Sequence, residues 1–332
     1  MAETLMELVD LKTYFDNEDG LLRAVDGVSF EIEKGETLGL VGESGCGKSV
    51  TALSTIRLIP QPRGYIAEGE INYHRNGEVI DISKLKRHGK KMRSLRGNDI
   101  AIIFQEPMTS LNPVYTIGEQ ITEGIFIHQD ADKKSALNRA VEMLKKVGIS
   151  APESRIHSYP HELSGGQRQR AMIAIALACD PNFLIADEPT TALDVTIEAQ
   201  ILELMRDLQS EFGMSILFIT HDLGVIGEMA ERMVVMYTGK VVETGDTDEV
   251  FKEPLHPYTQ GLMSSIPRIG SKERLIPIKG SVPNILTLDQ DQCYFASRCP
   301  EVMDICYEKE PPVFGEERNT KCWLYDTKEE AV

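Results

Sequence analysis

GETLGLVGESGCGKSVTALSTIRL, residues 35–58, runs from a Lys34-Gly35 turn through an apolar stretch and a glycine-rich loop into a helical pattern that stops near Pro60 and Pro62. Within it GESGCGKS, residues 42–49, fits G-x-x-x-x-G-K-[ST] at every position. Its three glycines let the backbone curl with the N–H groups inward, and the helix start adds partial positive charge, which together make a cradle for phosphate. Gly42, Glu43, Ser44, Gly45, Cys46, Gly47, Lys48, Ser49 and Val50 are therefore the expected nucleotide loop. Lys48 would reach the β- and γ-phosphates and Ser49 would offer its hydroxyl to Mg²⁺. Cys46 reads as a small filler whose thiol is either oxidation-sensitive or simply inert.

Outward from the loop, LMELVDLKTYF and RAVDGVSFEIE read as two strands about a DNEDG turn. Further strands are expected at DIAIIFQ, NFLIADEP, MSILFITHD and RMVVMYTG, and helices near 48–58, 116–127, 133–147, 166–178, 195–212 and 222–230. Strand and helix in alternation make a largely parallel α/β core, with the first antiparallel strands as an added layer. Between Gln105 and Ser164 the pattern turns mainly helical, a candidate insertion over about 106–170. After Asp246 it becomes rich in Pro, Gly and charge. The fold class is thus α/β: a P-loop NTPase core with an antiparallel β subdomain, an inserted helical subdomain and a small irregular cysteine-rich extension. The expected boundary lies between residues 1–245 and 246–332.

Four polar residues end candidate strands where such folds bind ligands. Asp187 suits Mg²⁺, held directly or through water, and Glu188 can orient or deprotonate the water that attacks the γ-phosphate. Gln105 could ligate Mg²⁺ or hold water; His221 could hydrogen-bond the γ-phosphate and lock Glu188 and the water in place. A second anion-binding pattern, LSGGQRQR at 163–170, puts a hydroxyl and two glycines at a helix start, although an ordinary capped helix would look the same.

GESGCGKS, Gln105, LSGGQ, FLIADEP, Ala192–Asp194 and His221, in this order over about residues 5–245, resemble the nucleotide-binding subunit of an ATP-binding-cassette transporter. The resemblance implies that two such subunits meet head to tail, with Ser164, Gly165, Gly166 and Gln167 covering the ATP of the opposing subunit and Asp194 at the seam. It implies that 105–113 faces a membrane subunit, and that an aromatic stacks on adenine: Phe15, with Tyr14 the second choice.

FQEPMTSLNP, the run from HSYPHELSGGQ to TTALDVT, and HPYTQGLMSSIP extend the resemblance to the dipeptide and oligopeptide importer ATPases, with nickel importers as near relatives. In such systems the partners are integral membrane permease subunits, a second homologous ATPase and, indirectly, an extracytoplasmic binding protein. The last selects the cargo together with the channel.

Four of the six cysteines, Cys293, Cys299, Cys306 and Cys322, lie within 30 residues of one another near the C-terminus. No CxxC knuckle is present, and the spacing leaves Zn²⁺, an iron–sulfur centre and metal-free thiols open. The dipeptide-branch resemblance implies a [4Fe–4S] cluster, with Gln292 and Asn319 departing from the usual Gly and His of that tail.

Composition limits the alternatives. Over 332 residues, 52 acidic side chains face 35 Lys and Arg, a formal charge of −17 that repels nucleic-acid backbones and argues against a soluble cassette ATPase acting on them. The one dense basic run, residues 84–96, reads as a solvated helix or loop. No apolar stretch reaches the length of a membrane span and no signal peptide is evident, so the expected location is the cytoplasmic face of the membrane.

Overall fold

Phe183–Asp187 is a strand of five buried residues, and a strand buried on both faces needs neighbours that are apolar throughout. Ile100–Ile103 and Ser215–Ile219 supply them, each pairing parallel with it, Ile185 opposite Ile102 on one side and Leu217 on the other. The computed structural model in which they are seen describes residues 3–105, 110–191, 193–266, 277–315 and 318–326. The chain forms two units. One comprises the described residues of Met1–Glu3, Glu33–Glu36 and Leu85–Ile219; the other comprises those of Thr4–Ile32, Thr37–Lys84 and Thr220–Val332.

In the first unit the parallel strands are accompanied by the helices Ile117–His128, Lys133–Lys146 and Gly165–Leu177, which pack on one another. Ile117, Ile121 and Ile125 recur every fourth residue and are fully buried, the stripe a helix needs to face a core. Thr116 and Glu119 close a reciprocal capping box at the start of that helix. Val195–Phe212 starts on Asp194 as N-cap and stops at Gly213, whose φ of 63° is the left-handed turn glycine accepts readily.

The second unit holds the antiparallel layer, a four-stranded sheet in the order Gly20–Glu33, Thr4–Asn17, Gly64–Arg75, Glu78–Asp81. Its last two strands are absent from the sequence reading, because YIAEGEINYH interleaves charge and glycine where a buried strand would be apolar. Thr37–Val41 pairs parallel with Arg232–Tyr237, which turns back antiparallel into Lys240–Asp246. Asn319–Thr320 then joins the outer edge of Lys240–Asp246, so the tail expected to be irregular covers a strand edge. The helix after the phosphate loop ends at Thr55, earlier than the predicted Leu58. The basic run holds a short helix, Lys90–Leu95, with Met92 and Leu95 buried and its lysines outward. Among the described residues no helix is long and apolar enough to cross a membrane.

Candidate functional site

Three glycines shape the phosphate loop, at φ of 148° (Gly42), 80° (Gly45) and 104° (Gly47), all in the positive range that side-chain-bearing residues rarely adopt. At two of them space forbids a side chain as well. A Cβ on Gly42 would lie 2.2 Å from the Met236 carbonyl oxygen, and one on Gly47 2.3 Å from that of Ala24. Gly47 caps the helix Lys48–Thr55, and the Lys48 ammonium, on a residue only 5% exposed, donates to the carbonyls of Gly42 (2.7 Å) and Glu43 (3.2 Å). The cation thus sits at the centre of the curl. Ser44 and Gly45 are exposed at its rim, while Ser49 and Val50 are half-buried on the first helical turn. Cys46 is buried, and burial pushes its thiol up, which favours the inert reading of the sequence over the reactive one.

The two candidate aromatics face different ways. Thr13 is buried and shares a 2.9 Å hydrogen bond with Ser54 of the loop's helix. Residues two apart on a strand share a face, so Phe15 lies on that side and Tyr14 on the other. Tyr14 donates its hydroxyl to Asp26 (2.8 Å), and burial with that bond lifts its pKa to about 12.

In the first unit, Asp187 is the buried last residue of its strand, in register with Ile219. Glu188 follows with φ 48°, a left-handed conformation uncommon outside glycine, pinned by its N–H donating to the Ile219 carbonyl at 2.9 Å. Its Oε2 accepts two hydrogen bonds of 2.8 Å, from Gln105 Nε2 and Thr191 Oγ1. The fold therefore brings Gln105 to Glu188. Thr191 is a neighbour of the carboxylate that the sequence alone does not single out.

Ser164 caps the helix Gly165–Leu177 by accepting from the Gln167 N–H at 3.3 Å, and Gln167 Oε1 accepts from the Ser164 N–H at 3.1 Å. The LSGGQ pattern is thus a capping box as well as an exposed helix start. The two glycines differ in use. A Cβ on Gly166 would meet Ile197 at 3.0 Å, whereas one on Gly165 would meet nothing within 4 Å, leaving that face open to a close approach. Asp194 is exposed, caps its helix through the Ile197 N–H (3.0 Å), and precedes Val195, an apolar side chain 80% exposed. His221 is exposed, just after the strand Ser215–Ile219. Of the other expected positions, 106–109 and Ala192 lie outside the described residues.

All six cysteines are unbridged. The Cys293 N–H donates to the Cys306 carbonyl at 2.9 Å, and Cys306 and Cys322 are buried. Burial raises the thiols of Cys293 (to about 12), Cys322 (to about 11) and Cys299, and in each case neighbouring members of the quartet push further in the same direction. The four are therefore gathered in one region. Among the described residues no three His, Cys, Asp or Glu side chains stand in metal-holding geometry, so the expected four-thiolate centre is not displayed.

Comparison with known proteins agrees with this geometry. A family model for the ABC transporter matches residues 25–191, and one for the oligopeptide/dipeptide transporter C-terminal region matches residues 242–306. The chain is 53% identical over 326 residues to the oligopeptide transport ATP-binding protein AppD of Bacillus subtilis, covering 97% of both chains. It is 44% identical over 331 residues to the dipeptide transport ATP-binding protein DppD of the same organism, covering 99% of this chain and 97% of that one. Among solved structures, a dimeric, post-hydrolysis ATP-binding cassette bound to ADP and Pi superposes with a TM-score of 0.64 at 28% identity, covering 73% of this chain and 99% of that one. With a phosphate loop, a strand ending in a pinned carboxylate, an LSGGQ helix start and matches along nearly its whole length, the chain belongs to the ABC transporter ATPases, in their oligopeptide/dipeptide branch.

Proposed function

We propose that this chain hydrolyses ATP at the cytoplasmic face of a membrane to power import of oligopeptides or dipeptides. The observation that carries the chemistry is the carboxylate of Glu188, fixed through one oxygen by both Gln105 and Thr191 at the end of the strand Phe183–Asp187. A carboxylate so oriented accepts a proton from water as the water oxygen bonds to the γ-phosphorus and the bond from that phosphorus to the β–γ bridging oxygen breaks, giving ADP and phosphate. Lys48 neutralises charge on the β- and γ-phosphates and the loop N–H groups hold them. His221 hydrogen-bonds the γ-phosphate, and Phe15 stacks on adenine. Ser49 and Asp187 would each offer oxygen to Mg²⁺, which when bound would offset phosphate charge. Ser164, Gly165, Gly166 and Gln167 cover the ATP of a second, homologous ATPase subunit, and the exposed pair Asp194 and Val195 lies at the seam.

Permease subunits dock on the helical region. A cavity of about 750 Å³ beside Ser110 and Asn112 is lined by Tyr115, Phe126 and Ile127, apolar side chains roughly half or more exposed. The cassette ends near residue 245, a boundary supported by the start of the C-terminal family match at 242. Peptide as cargo, rather than nickel, is supported by the oligopeptide and dipeptide relatives. The expected result is that ATP turnover by the dilute chain alone is low, rises on adding its partner ATPase, and accompanies co-purification with integral membrane proteins. Turnover strictly linear in chain concentration and indifferent to any partner would overturn the paired mechanism.

The four gathered thiols support a [4Fe–4S] cluster on Cys293, Cys299, Cys306 and Cys322, with zinc the other outcome. Such a centre cross-links a region with few buried apolar side chains of its own. Cys306→Ser is expected to remove iron, read as metal content and loss of visible absorbance after anaerobic purification, while nucleotide binding persists. Full iron retention, or zinc in its place in the unaltered chain, would contradict the cluster.

A further inference from the structure

Glu43, the second residue of the phosphate loop, is held by the C-terminal extension through both its side chain and its backbone. Arg298 donates Nη1 to Oε2 at 2.6 Å and Nη2 to Oε1 at 3.1 Å, a two-pronged pair. The Glu43 N–H donates to Tyr258 Oη at 2.8 Å. Arg298 is itself fixed: its side chain is 4% exposed, Nε donates to the Lys279 carbonyl at 3.0 Å, and Nη1 also reaches Tyr237 Oη at 3.3 Å. The rings of Tyr237, Tyr258 and Phe295 close around it, with centroids 4.7 to 5.4 Å apart. Burying a guanidinium is costly unless its donors are satisfied, and here the fork is committed to one phosphate-loop residue.

That residue is placed to matter. The Lys48 ammonium reaches the carbonyls of Gly42 and Glu43, so the segment that Arg298 anchors is the one that seats the lysine. Glu43 also puts a negative charge in a loop built for phosphate, and the fork neutralises it. The Arg298 guanidinium is correspondingly held in its charged state, chiefly by its hydrogen bonds to Glu43.

We propose that Arg298 is a positioning residue for ATP: its fork on Glu43 holds the phosphate loop and the Lys48 ammonium in the shape that receives a triphosphate, making nucleotide affinity depend on the C-terminal extension. The proposal rests on residues 42–49 being the ATP site. Lys48→Ala is the control for that reading, since it must weaken ATP binding if the site is correctly assigned, whatever Arg298 does.

The test uses the full chain, a fluorescent ATP analogue for affinity and steady-state ATPase for the split between KM and kcat. Arg298→Ala should weaken analogue binding and raise KM for ATP about tenfold, the scale of a lost charge-assisted pair, with kcat at saturating ATP little changed. Arg298→Lys, which keeps charge and stem but loses the fork, should fall between the two and carries the test if Arg298→Ala does not fold. Glu43→Gln alone, which weakens the same fork from the other side, should also raise KM, and in the double variant Arg298→Ala/Glu43→Gln the two effects should be non-additive, which a merely structural loss at Arg298 would not give. Unchanged affinity in Arg298→Lys and Arg298→Ala, a fall in kcat at unchanged KM, or fully additive effects in the double variant would each overturn the proposal.

Discussion

Glu188→Gln is expected to bind ATP as well as the unaltered chain while turnover drops about 10²- to 10⁴-fold, the usual contribution of a positioned general base. The substitution is nearly isosteric. Gln105 Nε2 and Thr191 Oγ1 donate to the same oxygen of Glu188, and an amide oxygen in that place accepts both bonds. The left-handed backbone is kept as well, because the Ile219 carbonyl still receives the 188 N–H. What disappears is the ability to take a proton from water. Bound but unhydrolysed ATP then holds the two cassettes together, so sedimentation or gel filtration with Mg–ATP should show a persistent pair. Gln105→Ala and Thr191→Ala should each cost much less, since either donor alone still orients the carboxylate. Turnover within about twofold of normal in Glu188→Gln would show that the proton leaves by another route.

Much of this arrangement was legible beforehand because it is written in short-range chemistry. GESGCGKS requires glycine at 42 and 47 for reasons of φ and of space, and FLIAD reads as a strand because it is a short apolar run ending in a carboxylate, all five positions of which are buried. The expected helix starts near 116, 166 and 195 fall within one residue of those observed, where Thr116, Ser164 and Asp194 are the caps that satisfy N–H groups locally. Thr191 was missed because a threonine after Pro189 and Thr190 carries no pattern of its own; only the turn that folds it back on Glu188 gives it a task. The strand Gly64–Arg75 was missed because one of its faces is polar and Gly69 interrupts it at φ 91°. Least legible was the tie between Arg298 and Glu43, separated by 255 residues, since no local propensity links an arginine beside a cysteine to a glutamate in a glycine loop.

Phe15 and Tyr14 show how one tertiary contact separates two residues that a motif leaves side by side. From sequence they are adjacent aromatics on one strand. The buried bond between Thr13 and Ser54 fixes which face of that strand meets the loop's helix, and alternation assigns Phe15 to it. Tyr14 meanwhile has its hydroxyl committed to Asp26.

Lys48→Ala is expected to weaken ATP binding by about tenfold to a hundredfold. Its ammonium makes charge-assisted bonds to the loop, and each such bond to a phosphate contributes about 1.5–3 kcal/mol, so losing the cation costs at least tenfold to a hundredfold in affinity. The fold should survive. Alanine is the strongest helix former and residue 48 is the first of Lys48–Thr55, while Gly47 retains the capping conformation. Water can replace the ammonium at the two carbonyls, at a cost of about 1 kcal/mol. These effects separate in a thermal melt. Ligand at about 100 times Kd adds about 2.7 kcal/mol to the unaltered chain, a clear upward shift in Tm, and the same concentration should add only about 0.4–1.4 kcal/mol to the variant although its ligand-free Tm lies close to normal. Lys48→Arg should not restore the full shift, because a guanidinium is broader than the space left to a residue 5% exposed. An equal ATP-induced shift in Lys48→Ala would remove Lys48 from the site, and with it the assignment of residues 42–49 as the phosphate loop.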